Sequence, residues 1–255
     1  MRKMNDKELF GSETAKGGFR NEDDVISKFN DWKNDKVAQK WLIAMGYAIK
    51  EIEYVKAIKI TGGYKTDVQV QVTIKLKKDA IDCENLSVKL VSNSQGFNQI
   101  DKREIDKYVQ MWSIPKDIET ILRLFTGKTK PNKSGLKDPR RMLLREMPMQ
   151  DQDKIIKFFS KNKILVISDV LKGRDKLAAD WMLVILRKDK ASYDWALKDI
   201  NIVMNIFGQG DVRITKQGGL KIGQIGMQRK GGDGGRESAK MLQFKINPCL
   251  LFDGD

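Results

Sequence analysis

The chain has 255 residues, 48 Lys and Arg against 34 Asp and Glu, a formal net charge of +14, and no histidine. Without histidine, no Ser-His-Asp or Cys-His hydrolase, His-based zinc site or histidine-dependent nuclease can be built, so any hydrolytic chemistry rests on carboxylates, lysine and metal. The excess charge points to a polyanionic partner held by long-range attraction and counterion release; the competing reading is that evenly scattered lysines serve only solubility. Hydrophobic residues at 40% suffice for a core, and the two cysteines, Cys83 and Cys249, read as unpaired thiols in a reducing compartment. No apolar run reaches the length of a membrane span and residues 1–18, a polar arm with Glu8 and Glu13, do not read as a signal peptide, so a cytoplasmic location is expected.

Asn21 is placed to cap a helix whose first turn holds Glu22, Asp23 and Asp24 and whose apolar face is Val25, Ile26, Phe29 and Trp32. Glu22 is either an acid complementing the helix dipole or a carboxylate beside a metal site. A second helix is expected over residues 36–45, stopping at Gly46, followed by a strand over 55–60 and a turn at Gly62 and Gly63.

Residues 66–76 then alternate strictly, with Val68, Val70, Val72, Ile74 and Leu76 on one face and Asp67, Gln69, Gln71, Thr73 and Lys75 on the other. Residues 86–91 repeat the pattern, with Leu86, Val88 and Leu90 opposed to Ser87 and Lys89; residues 77–85 are read as the loop that makes the pair an antiparallel hairpin. Asp67, Ser87 and Lys89 can therefore share one end of it. A carboxylate to hold a divalent cation and a lysine to orient water are the minimum equipment for phosphodiester hydrolysis. The same pair also occurs on ordinary solvated strands.

Beyond the polar loop 93–98, helices are expected over 100–112, from Pro115, and over 151–161, the last burying Ile155, Ile156, Phe158 and Phe159. Residues 126–141, rich in glycine and lysine, read as an exposed loop that either touches phosphates or is a solvated connection. The apolar runs 164–167 and 181–186 suit strands buried on both faces. A long helix is read from Ser192 or Asp194 through Trp195, Ile200, Ile202, Val203 and Ile206 to Gly208 and Gly210. From Asp211 the texture becomes β-rich, with short segments at 212–215, 220–228 and 241–246. Gly231 to Gly235 lie within the string Gln228-Arg229-Lys230-Gly231-Gly232-Asp233-Gly234-Gly235-Arg236-Glu237. Arginine and glutamine in such a loop are the vocabulary of base-edge readout, although basic glycine loops are also common surface turns.

Five strings make the chain resemble a known family: GSETAKGGFRNEDD around Glu22, GYKTD ending at Asp67, VKLVSNSQGFNQIDK from Val88 to Lys102, WSIPKDIETILRLFTG, and QRKGGDGGRESAKMLQFKINP. From about Gly11 to Phe252 it resembles the type II restriction endonucleases of the HinP type, which cut GCGC, and more distantly the Msp type, which cut CCGG. The resemblance implies the PD-(D/E)XK fold class: α/β, a mixed central sheet flanked by helices, with a β-rich C-terminal DNA-recognition lobe. The chain is read as one restriction-endonuclease domain, 1–255, comprising an arm (1–18), a catalytic core (19–210) and a β-rich recognition segment (211–255). It further implies Mg²⁺-dependent cleavage of double-stranded DNA at a short palindrome, leaving 5′-phosphate and 3′-hydroxyl ends, with Mn²⁺ able to substitute.

Carried over by position, the family's Ser-Asp pair falls on Thr66-Asp67 and its Gln-X-Lys on Ser87-Val88-Lys89. Asp67 becomes the principal metal ligand and Lys89 the residue that positions or activates water, with Thr66 in support. Ser87 stands where the family has glutamine, so the second metal position would draw on water, the Val88 carbonyl and Glu22. Asn98, Gln99 and Lys102 are expected on the DNA-facing side, and Gln228, Arg229, Lys230, Arg236 and Gln243 are candidates for base or phosphate contacts. The implied setting is a bacterial cytoplasm, with a monomer or weak homodimer and a cognate DNA methyltransferase in the same system but not bound. Three alternatives remain open: a DNA-binding module that has lost catalysis, suggested by Ser87; a repair or recombination nuclease of the same superfamily; and an RNA-binding protein.

Overall fold

In the computed structural model, which describes residues 22–60, 69–132, 138–189, 192–230 and 237–253, the elements run in chain order as follows. Helix α1 (22–30) and α2 (Lys36–Ala44) precede the strands β1 (Ile52–Ile60), β2 (Gln69–Leu76), β3 (Ile81–Val91) and β4 (Asn98–Arg103). Four helices follow, α3 (Ile105–Trp112), α4 (Lys116–Thr126), α5 (Met149–Lys161) and α6 (Lys163–Leu171). Then come β5 (Trp181–Arg187), β6 (Tyr193–Asp199), α7 (Ile200–Gly208), β7 (Val212–Ile214), β8 (Leu220–Ile222), β9 (Ile225–Arg229) and β10 (Leu242–Ile246). Asn21, Gly62 and Gly63 lie outside the described residues. No helix among the described residues is long and apolar enough to cross a membrane.

The described residues fall into two compact units, one drawn from Met1–Asn98, Lys172–Val203 and Asn247–Asp255, the other from Gln99–Leu171 and Met204–Ile246. The first unit is built on a five-stranded sheet in the order β1-β2-β3-β5-β6, antiparallel throughout except where β3 and β5 run parallel. Its core takes Val25, Phe29 and Trp32 from α1 and its following turn, Ala38, Trp41 and Leu42 from α2, and the inward alternation of the sheet: Val55, Ala57, Val72, Ile74, Leu86, Val88, Leu183, Ile185 and Leu197. The helical spacing predicted for α1 therefore meets the strand spacing predicted for β2 and β3 in one apolar layer. Asp35 starts α2 by accepting from the Val37 and Ala38 backbone N–H groups at 2.8 and 2.9 Å, and Gly46, at φ +94°, takes the chain out after it.

The second unit carries another five-stranded sheet, β4-β10-β9-β8-β7. Aromatic rings join its helices to that sheet: Tyr108 stacks on Trp112 with centroids 4.7 Å apart, and both meet Phe244 of β10 edge-on at 5.4 and 5.7 Å. Their polar atoms are satisfied inside this cluster. The Tyr108 hydroxyl donates to Asp101 at 2.5 Å and the Trp112 indole N–H to Asp169 at 2.8 Å.

Several expectations are corrected. Residues 164–167 are not a strand but the first part of α6: a short apolar run fits either period, and here helical spacing buries Val166, Ile167, Val170 and Leu171 while leaving Ile164 85% exposed. The long helix read from Ser192 is two elements. Residues 193–199 pair antiparallel with β5 as β6, and only from Ile200 does the chain become helical. Residues 100–103 belong to β4 rather than to a helix, because Asp101 is buried against Tyr108 and Arg103. Residues 81–85 are strand and not loop, since the backbone ladder with β2 extends through exposed polar side chains to Ile81. The segment 220–228 divides into β8 and β9 at Gly223, whose φ is +58°. In α5, Ile155 and Phe159 are buried but Ile156 and Phe158 are only half so.

The described residues of 126–141 are not all exposed, contrary to the expectation for that segment. Thr126 and Asp138 are buried, and Asp138 accepts from the Arg140 backbone N–H at 3.0 Å and from Arg141 Nε at 2.6 Å. Burial acts to raise the Asp138 carboxyl, but those hydrogen bonds and the Arg141 charge outweigh it and hold the group from 3.8 down to about 2. Because the folded value lies below the unfolded one, the stabilisation, about 2 kcal/mol, is present above pH 4 or so and is lost as pH falls towards about 2. Acid titration of thermal unfolding should therefore show a steeper loss in the parent protein than in Asp138→Asn, which starts less stable near neutrality; superimposable acid limbs would contradict this assignment.

Candidate active site

β3 is the middle strand of the first sheet, and its alternation divides two environments. Leu86 and Val88 enter the core below α1 and α2, while Asn85, Ser87 and Lys89 leave from the opposite face. The sequence left that face to chemistry or solvent; on β3 it is buried, Ser87 being 4% exposed and Lys89 7%. Their Cα partners on β5 are Met182 and Val184, both fully buried, so the lysine is carried on a wall of apolar strand. On the other side, the β2 ladder is described as far as Val70 opposite Leu86. Thr66 and Asp67 lie outside the described residues, Asp67 three positions before Val70 as Lys89 is three positions after Leu86.

Asn85, which the sequence pattern did not single out, fixes the start of this row. Its amide donates to the Lys176 and Ala178 carbonyls at 3.3 and 3.1 Å and accepts from Gln71 Nε2 at 3.0 Å. Its backbone N–H donates to the Asp180 carboxylate at 2.9 Å and its carbonyl accepts from the Asp180 N–H at 2.8 Å. These partners sit some 90 residues away along the chain, so no local pattern announces them. The effect is to pin β3 to the segment entering β5, two residues before Ser87.

Glu22 opens α1 and pairs with Lys59 of β1 at 3.0 Å; the same ammonium reaches Asp23 at 3.2 Å. Burial works to lower the Lys59 pKa, but its hydrogen bonds to both carboxylates prevail and raise it above the ordinary lysine value. Lys59 follows Val55 and Ala57 on the helix-covered face and is the Cα partner of Val70, which in turn faces Leu86. The described contact of Glu22 is thus with a cation on that face. Among the described residues no group of three or more His, Cys, Asp or Glu side chains is arranged to hold a metal ion.

The predicted DNA-contacting residues separate into different settings. Asn98 donates from Nδ2 to the Leu90 carbonyl at 3.0 Å, bracing the loop that follows β3. Gln99 and Lys102 are half-buried on β4. Gln228 is exposed on β9 and faces Gln243 of β10, which is only 6% exposed. Arg229 points the other way, its guanidinium 6.0 Å from the Phe125 ring centre. The Lys230 backbone donates to Met241 and accepts from Arg141 Nη1 at 2.8 Å, so the residue after β9 is tied by an arginine from the 126–141 segment. Arg236 lies outside the described residues.

The profile of the R.HinP1I restriction endonuclease family matches residues 45–252. The chain belongs to the R.HinP1I restriction endonuclease family. Membership makes this R.HinP1I-type protein a type II site-specific nuclease, and restriction endonucleases of this kind generally use a divalent metal. No curated protein matches the chain. Among solved structures, restriction endonuclease MspI in complex with its cognate DNA is similar in fold, with a TM-score of 0.57 and 15% identity over 86% of this chain and 80% of that one.

The Asn85 network generates a stability prediction separate from chemistry. Asn85→Ala removes three part-buried hydrogen bonds of a buried side chain, which should cost roughly 1–3 kcal/mol in urea unfolding; a variant as stable as the parent would show that these bonds are dispensable.

Proposed function

We propose that this R.HinP1I-type endonuclease makes Mg²⁺-dependent double-strand cuts at a short palindrome, GCGC by the family resemblance, leaving 5′-phosphate and 3′-hydroxyl ends. The observation that supports this reading most is Lys89: a lysine 7% exposed beside Ser87 on the middle strand, in a chain of this family. The groups that would hold the metal are the Asp67 carboxylate, the Ser87 hydroxyl and the Val88 carbonyl, an all-oxygen set suited to a hard cation such as Mg²⁺; Glu22, read from the sequence as a further ligand, pairs with Lys59 on the helix-covered face. When bound, such a cation supplies Lewis-acid stabilisation of charge developing on the phosphate and leaving oxygen.

The chain's own residues have distinct tasks. Lys89 donates hydrogen bonds that hold a water in line with the phosphorus, and its ammonium offsets negative charge gathering there. The apolar β5 wall excludes competing water and keeps that charge poorly screened. Asp67 anchors the cation, Thr66 supports Asp67, and Ser87 contributes a short ligand where relatives have a longer one. Asn98, Gln99, Lys102, Gln228, Arg229, Lys230, Arg236 and Gln243 are assigned to the duplex, with Arg229 and Gln243 acting through the sheet framework. The setting inferred is a bacterial cytoplasm, with a cognate methyltransferase protecting host sites and a monomer or weak homodimer acting on DNA.

Plasmid cleavage in Mg²⁺ tests this directly. Discrete fragments should appear, vanish with EDTA, and form at least about 10²-fold more slowly with Asp67→Ala or Lys89→Ala while duplex binding persists. Cleavage undiminished in Lys89→Ala would overturn its role. A parent protein that binds duplex but leaves it intact with both Mg²⁺ and Mn²⁺ would instead favour a binding module that lost catalysis through Ser87.

A further inference from the structure

The second sheet carries a row of basic residues to which the sequence reading gave no role. Pairing registers put Arg213 opposite Lys221, Lys221 opposite Gly226, and Gly226 opposite Lys245, so these residues form a single row across β7, β8, β9 and β10. With strands about 4.8 Å apart, the row is about 14 Å long and the two lysines stand about 10 Å apart across the glycine. The alternate residues of the same strands, Leu220, Ile222, Ile225, Met227, Phe244 and their neighbours, are the buried ones. Arg213 is exposed, and Lys221, Gly226 and Lys245 are partly so.

Two observations distinguish this row from an ordinary solvated face. Several lysines elsewhere are neutralised by acids, as in Lys28 with Asp35, Lys59 with Glu22, Lys75 with Glu53, and Lys188 with Asp194. Among the described residues, no carboxylate pairs with Arg213, Lys221 or Lys245. Gly226, moreover, is not required by the backbone, since its φ is outside the left-handed region. A Cβ there would meet only Gln228 Nε2 at 3.7 Å and the Lys245 carbonyl at 3.8 Å, ordinary contacts, so what the glycine provides is an open notch between two cations.

We propose that the row Arg213-Lys221-Gly226-Lys245 is a backbone-phosphate cradle for duplex DNA, with one phosphodiester seated over the Gly226 notch between Lys221 and Lys245. The inference rests on the DNA-cleavage reading above and adds to it a surface that positions the duplex without reading its bases. Gln228 and Gln243 form the next row on the same face, so a phosphate at the notch places polar amides one step further along the strands. In the absence of DNA the row is under electrostatic load: burial first, and then the neighbouring Arg213 charge, lower the Lys221 pKa. An anion relieves that load.

The test is the salt dependence of binding, measured by fluorescence anisotropy with a labelled GCGC duplex in Ca²⁺, alongside plasmid cleavage in Mg²⁺. Lys221→Ala and Lys245→Ala should each reduce the slope of log Kd against log salt by about 0.9, the signature of one lost phosphate contact. Lys157→Ala, an exposed lysine on α5, should leave it unchanged. Gly226→Val, which fills the notch without altering charge, should weaken binding while thermal unfolding shows the variant folded. If the parent protein binds and cuts but both lysine variants keep its slope, the cradle is overturned and the nuclease reading stands. If the parent neither binds nor cuts duplex DNA, both fall.

Discussion

The burial of Lys89 on a central strand is the constraint around which the first unit is arranged. A lysine is kept at such a position only where its surroundings fix its backbone and satisfy its polar head, and the sheet fixes the backbone from both sides. Behind Lys89, Leu86 and Val88 are locked into the core beneath α1 and α2; beside it, Val184 fills the β5 position. Asn85 completes the support by binding β3 to residues 176–180 through side-chain and backbone hydrogen bonds. A side chain placed in this way has little freedom to move off its target, which is what positioning a reactant requires.

The second unit addresses a different physical problem. Its sheet has one face filled by aromatic and aliphatic packing against the helices, and the polar groups of Tyr108 and Trp112 are discharged onto Asp101 and Asp169. Arg141, held by Asp138, donates to the Lys230 and Ala239 carbonyls and so ties the residue after β9 to the one that lies three before β10. Part of the chain's basic content is therefore framework. The charge that remains for a polyanion is better sought in the row through Lys221 and Lys245 than in the total of +14.

Much of this was legible from the sequence wherever one period ran without interruption. Of the alternations over 66–76 and 86–91, the described part gave strands with Val72, Ile74, Leu86 and Val88 inward as read, and Val25, Phe29 and Trp32 gave a helix face. Reading failed where two periods overlapped: residues 164–167 are apolar at every position, and Trp195 of β6 falls in helical phase with Ile202 and Ile206 although the chain changes element at Ile200. Local pattern also could not reveal partners distant in sequence. Asn85 finds its acceptors near residue 178, Arg141 finds Lys230, and Glu22 meets Lys59, each through tertiary approach. The family strings implied a role for Lys89, but only the structure showed that it is buried beside β5 rather than on an open strand face.

Site-specific cleavage by this framework is tested most directly by run-off sequencing of plasmid cut by the purified protein in Mg²⁺, which reports activity, site and cut position together. Every end should map within a single short palindrome, at the same offset on both strands. Ends scattered without common sequence would contradict it.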